Sequence, residues 1–219
     1  YIHARPELAV ASTKAYTNMV AILFLYALQF GRLKRVTLAT GQRLLNALLE
    51  IPEKMNDIFK QKDTIQNIAE KYSGYEHMFF LGRGINYPVA LEGSLKLKEI
   101  SYIHSEAYPG GELKHGPLAL LSPGFPVLGI MTNNQLYDKM RSNVEEVRAR
   151  GSKVILVATE GDERAKELAD DVLFVPDTME LLEPLLNTIP LQLFSYYIAT
   201  HLGRDVDRPR NLAKSVTVE

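Results

Sequence analysis

Four short apolar runs recur along the later two thirds of the chain, and each is closed by turn-forming residues. They are residues 77–81 (HMFFL), 126–131 (PVLGIM), 154–158 (VILVA) and 172–175 (VLFV). Continuous rather than alternating hydrophobicity marks strands buried on both faces, and such strands belong to parallel sheets. Between the runs lie stretches of helical patterning at about 88–103, 134–150 and 162–168. The middle one ends with Arg148 and Arg150, favourable at a negative helix terminus, and with Gly151 just beyond. Strand–helix alternation of this kind predicts an α/β, doubly wound fold.

The flanks read differently. Ser12 is placed to cap a helix over about 14–30, and residues 19–28 are apolar on every side, which predicts a helix packed all round. Gly31 stops it. A second helical stretch runs over 37–60 with a break or re-entry at Pro52, and a third covers 63–72. A closing helix spans about 179–202, with Pro184 in its first turns and Pro190 a candidate kink. From Gly203 to Glu219 the chain is charged and helix-averse, a composition that ordinarily frays. There is no internal repeat and no low-complexity segment.

Composition excludes several function classes. The 219 residues are 46% hydrophobic and 23% charged, which is globular usage, and the net charge of −1 gives no basic field for nucleic acid. With no cysteine there is no disulfide scaffold, thiolate nucleophile or cysteine-ligated metal. The apolar run 19–28 falls short of the roughly 20 residues that span a bilayer. No signal peptide opens the chain, so a cytoplasmic protein without membrane or nucleic-acid partners is expected. Tyr1 is not an initiator Met, and the first ten residues read as the middle of a protein; a piece of a longer chain, or one with its leader removed, is expected.

In open parallel sheets, ligands sit beyond the carboxyl ends of the strands. Gly82-Arg83-Gly84 lies at such an end, just before a helix N-terminus that favours an anion. It is neither a dinucleotide fingerprint nor a Walker loop, and its glycines serve a tight turn equally well. On the next helix, Glu92, Lys96 and Glu99 are spaced i, i+4, i+7 and share one face, with Leu91, Leu95 and Ile100 away from it. On an arbitrary helix this would be a solvated stripe worth a few tenths of a kcal/mol. Directly after the first strand, it is also a candidate site. The segment 105–118 (SEAYPGGELKHGPL) is irregular and carries His115, which is either a surface cap or an imidazole placed near the crevice for proton exchange. His3, His77, His104, His115 and His201 show no metal-ligand spacing, so no metal site is expected. No serine-nucleophile motif occurs. A carboxylate, an ammonium and an imidazole around one crevice suit proton transfer beside a carbonyl, with the cation steadying a developing enolate or enolamine.

The run LGRGINYPVALEGSLKLKEISYIHSEAYPGGELKHGPLAL (81–120) and the tail DVDRPRNLAKSVTVE (205–219) resemble the glutamine–fructose-6-phosphate aminotransferases, also called glucosamine-6-phosphate synthases. VASTKAYT (10–17) resembles the end of that family's first sugar-isomerase (SIS) half. The resemblance implies a three-layer αβα sandwich with a mostly parallel, flavodoxin-like sheet, preceded by helices and followed by an irregular C-terminal tail. It implies an order of first-half remnant (1–36), second SIS domain (37–204) and active-site tail (205–219).

By the same resemblance, Glu99 is the base that moves a proton between C1 and C2 as ketose becomes aldose, with Lys96 and Glu92 in its cluster. His115 assists ring opening and serves the neighbouring subunit of a homodimer. Lys214 forms a Schiff base with the open-chain sugar at C2, and Val10 and Ala213 offer backbone contacts to it. The tail becomes a lid, and Arg5 stands where the family has glycine. The implied reaction takes fructose 6-phosphate and glutamine to glucosamine 6-phosphate and glutamate, with no metal or organic cofactor. The family's cysteine-bearing glutaminase and phosphate-gripping loop lie outside this chain, so little or no activity alone is expected. A phosphosugar-sensing SIS module without catalysis, or a related sugar-phosphate isomerase or deglycase, are the alternatives.

Overall fold

A computed structural model describes residues 1–214; Ser215 to Glu219, and with them the last five residues of the tail motif, lie outside the described residues. All four apolar runs are strands: β1 (His77–Gly82), β3 (Pro126–Met131), β4 (Lys153–Thr159) and β5 (Asp171–Val175). A fifth, β2 (His104–Pro109), falls where the sequence suggested an irregular segment. All pairings are parallel and the order is β2-β1-β3-β4-β5, the flavodoxin-like arrangement. β2 escapes the sequence pattern because its HSEAYP carries no apolar run; it lies at one edge of the sheet and, among the described residues, pairs only with β1, from His77↔His104 to Gly82↔Pro109, whereas the other edge strand, β5, has such a run.

The helices are α1 (Lys14–Arg32), α2 (Leu38–Lys60), α3 (Lys62–Tyr72), α4 (Asn86–Ser101), α5 (Tyr137–Arg148), α6 (Glu163–Leu168) and α7 (Glu183–His201). Successive strand residues face opposite sides, so HMFFL feeds two cores. Met78 and Phe80, with Leu128, Ile130, Ile155 and Val157, pack under α2, α3, α4 and α7. Phe79 and Leu81, with Val127, Met131 and Leu156, pack under α5 and α6. The sandwich has three layers.

Three local expectations need correction. Ser12 does not cap α1: the N-cap is Thr13, and it is the distant Glu7 whose Oε1 accepts the Thr13 and Ala15 amides at 3.1 and 3.0 Å. α2 runs unbroken through Pro52, anchored either side by buried Ile51 and Ile58 and started by Thr37, whose hydroxyl accepts the Thr40 amide. Helix α1 is not packed all round; Leu23, Tyr26 and Phe30 are about 60% exposed. Among the described residues no helix is long and apolar enough to cross a membrane.

The tail is fastened rather than frayed as far as it is described. Tyr102, left-handed at φ 68 beyond the end of α4, holds the guanidinium groups of Arg204 and Arg210 against its ring, at 5.3 and 4.2 Å. Its hydroxyl accepts the Arg210 amide at 2.9 Å. Between those arginines, the Asp207 carbonyl accepts the Val10 amide at 3.0 Å.

Candidate active site

Helix α4 covers the face that carries Glu92, Lys96 and Glu99 and leaves Leu91 and Leu95 in the open. Lys96 is 3% exposed, whereas Leu91 and Leu95 are 45% and 40% exposed, the reverse of a solvated stripe. The Lys96 ammonium lies 2.7 Å from Glu99 Oε2 and 3.6 Å from Glu92 Oε1, so one buried cation serves two carboxylates. The two differ in surroundings. Glu99 has the more open side chain, 22% exposed against 11% for Glu92. Burial pushes the Glu92 carboxyl above its ordinary range, with Lys96 opposing and the charge of Glu99 adding to the rise. Tyr16 of α1 closes this cluster: burial first raises its phenol, a hydrogen bond with Thr188 of α7 opposes that, and the Glu92 charge adds to it. Two carboxylates around a fixed ammonium can move a proton and hold the negative charge it leaves behind.

Lys214 lies at the N-terminal segment. Its ammonium donates to Glu7 Oε2 at 2.8 Å and to the Val10 carbonyl at 3.2 Å. Ala213, beside it in the tail, is exposed. Burial alone would raise the Glu7 carboxyl; the Lys214 ammonium and the Ala15 and Thr13 amides outweigh it and bring it down to about 2. Arg5 takes φ 58, a left-handed backbone that glycine adopts without strain, which accounts for a glycine expectation there. Sequence reasoning missed Glu7, because a cap six residues before the helix leaves no local capping signal. It also missed Tyr102, whose role depends on a tail about 100 positions away.

The crevice at the strands' carboxyl ends is filled from within. Glu183 Oε2, 3% exposed at the start of α7, accepts from Asn86 Nδ2 (2.7 Å), Thr132 Oγ1 (2.8 Å) and Asn134 Nδ2 (2.8 Å). Asn187 Nδ2 donates to Asn86 Oδ1 at 2.9 Å. Gly82 is obligatory here, since a Cβ on it would stand 2.2 Å from the Asn86 carbonyl oxygen. Glu92, Lys96 and Glu99 are instead on the body of α4, two to four turns beyond that crevice.

His115 is not brought to them. It is exposed at the end of a 3₁₀ turn, Gly110–His115, whose Leu113 is buried in the α5 and α6 face, while α4 covers the other face of the sheet. The expected gathering of carboxylate, ammonium and imidazole around one crevice therefore does not occur within one copy. The His115 turn is well braced. Arg83 donates to Asn143 Oδ1 at 2.7 Å beneath it, and Lys114 pairs with Glu146 at 2.7 Å. A Cβ on Gly110 would meet Asn143 Oδ1 at 2.6 Å.

Residues 71–202 match the family model described as the SIS domain. Over the whole chain the sequence is 53% identical to the glutamine–fructose-6-phosphate aminotransferase (isomerizing) of Thermus thermophilus, of which it spans 36%. The C-terminal domain of glucosamine-fructose-6-phosphate aminotransferase from Francisella tularensis superposes with a TM-score of 0.88 at 43% identity, over 94% of this chain and 59% of that one. Glucosamine-6-phosphate deaminase from Thermotoga maritima superposes with a TM-score of 0.71 at 26% identity, over 96% of this chain and 59% of that one.

Proposed function

The chain belongs to the SIS family, and from that premise we propose that it supplies the ketose-to-aldose chemistry of a glucosamine-6-phosphate synthase acting on fructose 6-phosphate. The observation that carries this reading is the buried Lys96 between Glu92 and Glu99, on a helix tied through Tyr102 to the tail that bears Lys214. Glu99, the more open carboxylate, takes a proton from C1 and returns it to C2. Lys96 stabilises the charge that builds on the enolamine between those steps. Glu92, the more buried carboxyl, shares the Lys96 ammonium with Glu99 and helps to hold it in place. Before the C1 proton moves, Lys214 leaves Glu7, gives up its proton and condenses with the carbonyl at C2, releasing water. Ammonia then adds to this imine and expels the Lys214 amine, so that the imine on which the proton moves carries the nitrogen kept in the product. Val10 and Ala213 line the sugar through their backbones.

His115 faces away from this set in its own copy, which supports a homodimer in which each copy lends its imidazole for ring opening to the other. Residues 1–36 are read as the end of a preceding SIS half, 37–204 as the second SIS domain, and 205–219 as the active-site tail. The chain spans about a third of the curated relative's length. On this reading the phosphate grip and the ammonia source belong to the rest of such a protein, and catalysis depends on the binding energy they add.

The test is a calorimetric titration with fructose 6-phosphate, run on this chain and on the chain joined to the remaining length of its relatives. The joined protein should bind and turn over, and Glu99→Gln in it should keep binding while losing glucosamine 6-phosphate formation by roughly a hundredfold or more. Undiminished turnover by Glu99→Gln would sink the assignment. Tight binding by the short chain alone would sink the division of labour.

A further inference from the structure

Two imidazoles meet at the foot of the sheet. His77 opens β1 and His104 opens β2, in direct register, and their Nδ1 atoms lie 3.3 Å apart with the rings edge-on at 77°. Both residues are exposed. The backbone beneath them is fixed, because the strands are paired and the His104 amide donates to the Glu76 carbonyl at 3.1 Å. Sequence spacing could not reveal the pair, since 27 residues separate its members and only the parallel register brings them together.

We propose that His77 and His104 form a two-imidazole chelate for one borderline divalent cation of the zinc, copper or nickel type. Two neutral imidazoles facing nitrogen to nitrogen share a single proton, and a divalent ion can replace it by accepting both lone pairs. The separation fits. Two nitrogens bound tetrahedrally to one zinc at about 2.0–2.1 Å stand about 3.3–3.4 Å apart, so the rings are already near the spacing the ion requires. Among the described residues no three histidine or carboxylate side chains converge on one point, so water completes the coordination and binding is modest and exchangeable. Imidazole donors without thiolate or a carboxylate cage select transition ions over magnesium or calcium. The inference is independent of the proposed isomerase chemistry.

The experiment is a calorimetric titration of the chain with zinc chloride at neutral pH, in a buffer that does not bind metals. One zinc per chain should bind in the micromolar range. His77→Ala and His104→Ala should each weaken it by roughly tenfold or more, and the double variant no further, because a chelate is lost with either arm. A variant carrying His3→Ala, His115→Ala and His201→Ala should bind as tightly as the parent. Nitrogen-15 spectra should show the Nδ1 resonances of His77 and His104 moving together on adding zinc. Both residues are exposed, and circular dichroism is the check that each variant folds; His77→Gln and His104→Gln replace any that does not. Absence of saturable binding below millimolar zinc, or binding that survives loss of both histidines, overturns the proposal.

Discussion

Lys96 is the residue on which the candidate site turns. Its spacing from Glu92 and Glu99 was legible in the sequence, because i, i+4, i+7 fixes a common face whatever surrounds the helix. Which way that face points was not legible, since that depends on α1 and α7 covering it. Removing the ammonium leaves two carboxylates in a half-buried place without their cation, so Lys96→Ala should lower the unfolding free energy by about 2–4 kcal/mol in urea titrations near neutral pH. A loss below about 0.5 kcal/mol would place the pair among ordinary surface ion pairs.

Glu92 and Glu7 should bend the pH profile in opposite senses. The Glu92 carboxyl is raised above its ordinary 4.5, so its contribution to stability is fullest below that value and is lost as pH rises through its folded-state value. Glu92→Gln, which cannot ionise, should therefore close or reverse any stability deficit toward pH 7. Glu7, ordinarily 4.5 and held down to about 2, contributes fully above 4.5, and that contribution disappears as pH falls toward 2. Denaturant titrations should find Glu7→Gln clearly weaker than the parent at pH 6 and indistinguishable from it near pH 2. A gap that stays constant with pH would mean that the carboxylate's charge does not matter there.

At the scale of elements, the strands that could be read were those with an unbroken apolar run: the three central ones, buried on both faces, and edge strand β5, whose Leu173 and Val175 reach the core. Edge strand β2 has no such run and was invisible. Pro52 suggested a break in α2, but it removes only one ladder bond, and Ile51 and Ile58 hold the helix to the core across it. The tail looked frayed because nothing local stabilises it. Its order comes from Tyr102, a single aromatic ring shared by two arginines, each such contact worth about 0.5–1 kcal/mol at an exposed site. Tyr102→Ala should leave the sheet and its helices intact while freeing the tail. Trypsin should then cut after Arg204 and Arg210 much faster than in the parent, while the Arg208–Pro209 bond resists in both, with the midpoint of thermal unfolding nearly unchanged. Equal cleavage rates would show that the Val10 and Glu7 contacts suffice without the clamp.

At the scale of the molecule, two features point outward. Leu23, Tyr26 and Phe30 on α1, and Leu91 and Leu95 on α4, are large apolar side chains left open to solvent. His115 stands on the side of the sheet away from Glu99. The first was concealed in the sequence, since a helix apolar all round reads as buried until one knows what covers it. The second could not be read at all, because the strand order decides which helices share a face. On the proposed reading, the two copies of a homodimer exchange imidazoles, and this makes a sharp demand on mixtures. In the chain joined to the remaining length of its relatives, Glu99→Gln and His115→Ala should each be nearly inactive. Mixed, dissociated and reassociated at equal amounts, about half the dimers carry one copy of each. In each of these, one site receives both lesions and the other receives neither. Roughly a quarter of parental activity should return, since half the dimers each regain one site of two. If His115 instead served its own copy, every site in the mixture would keep one lesion and no activity would return, so a flat assay after mixing refutes the exchange.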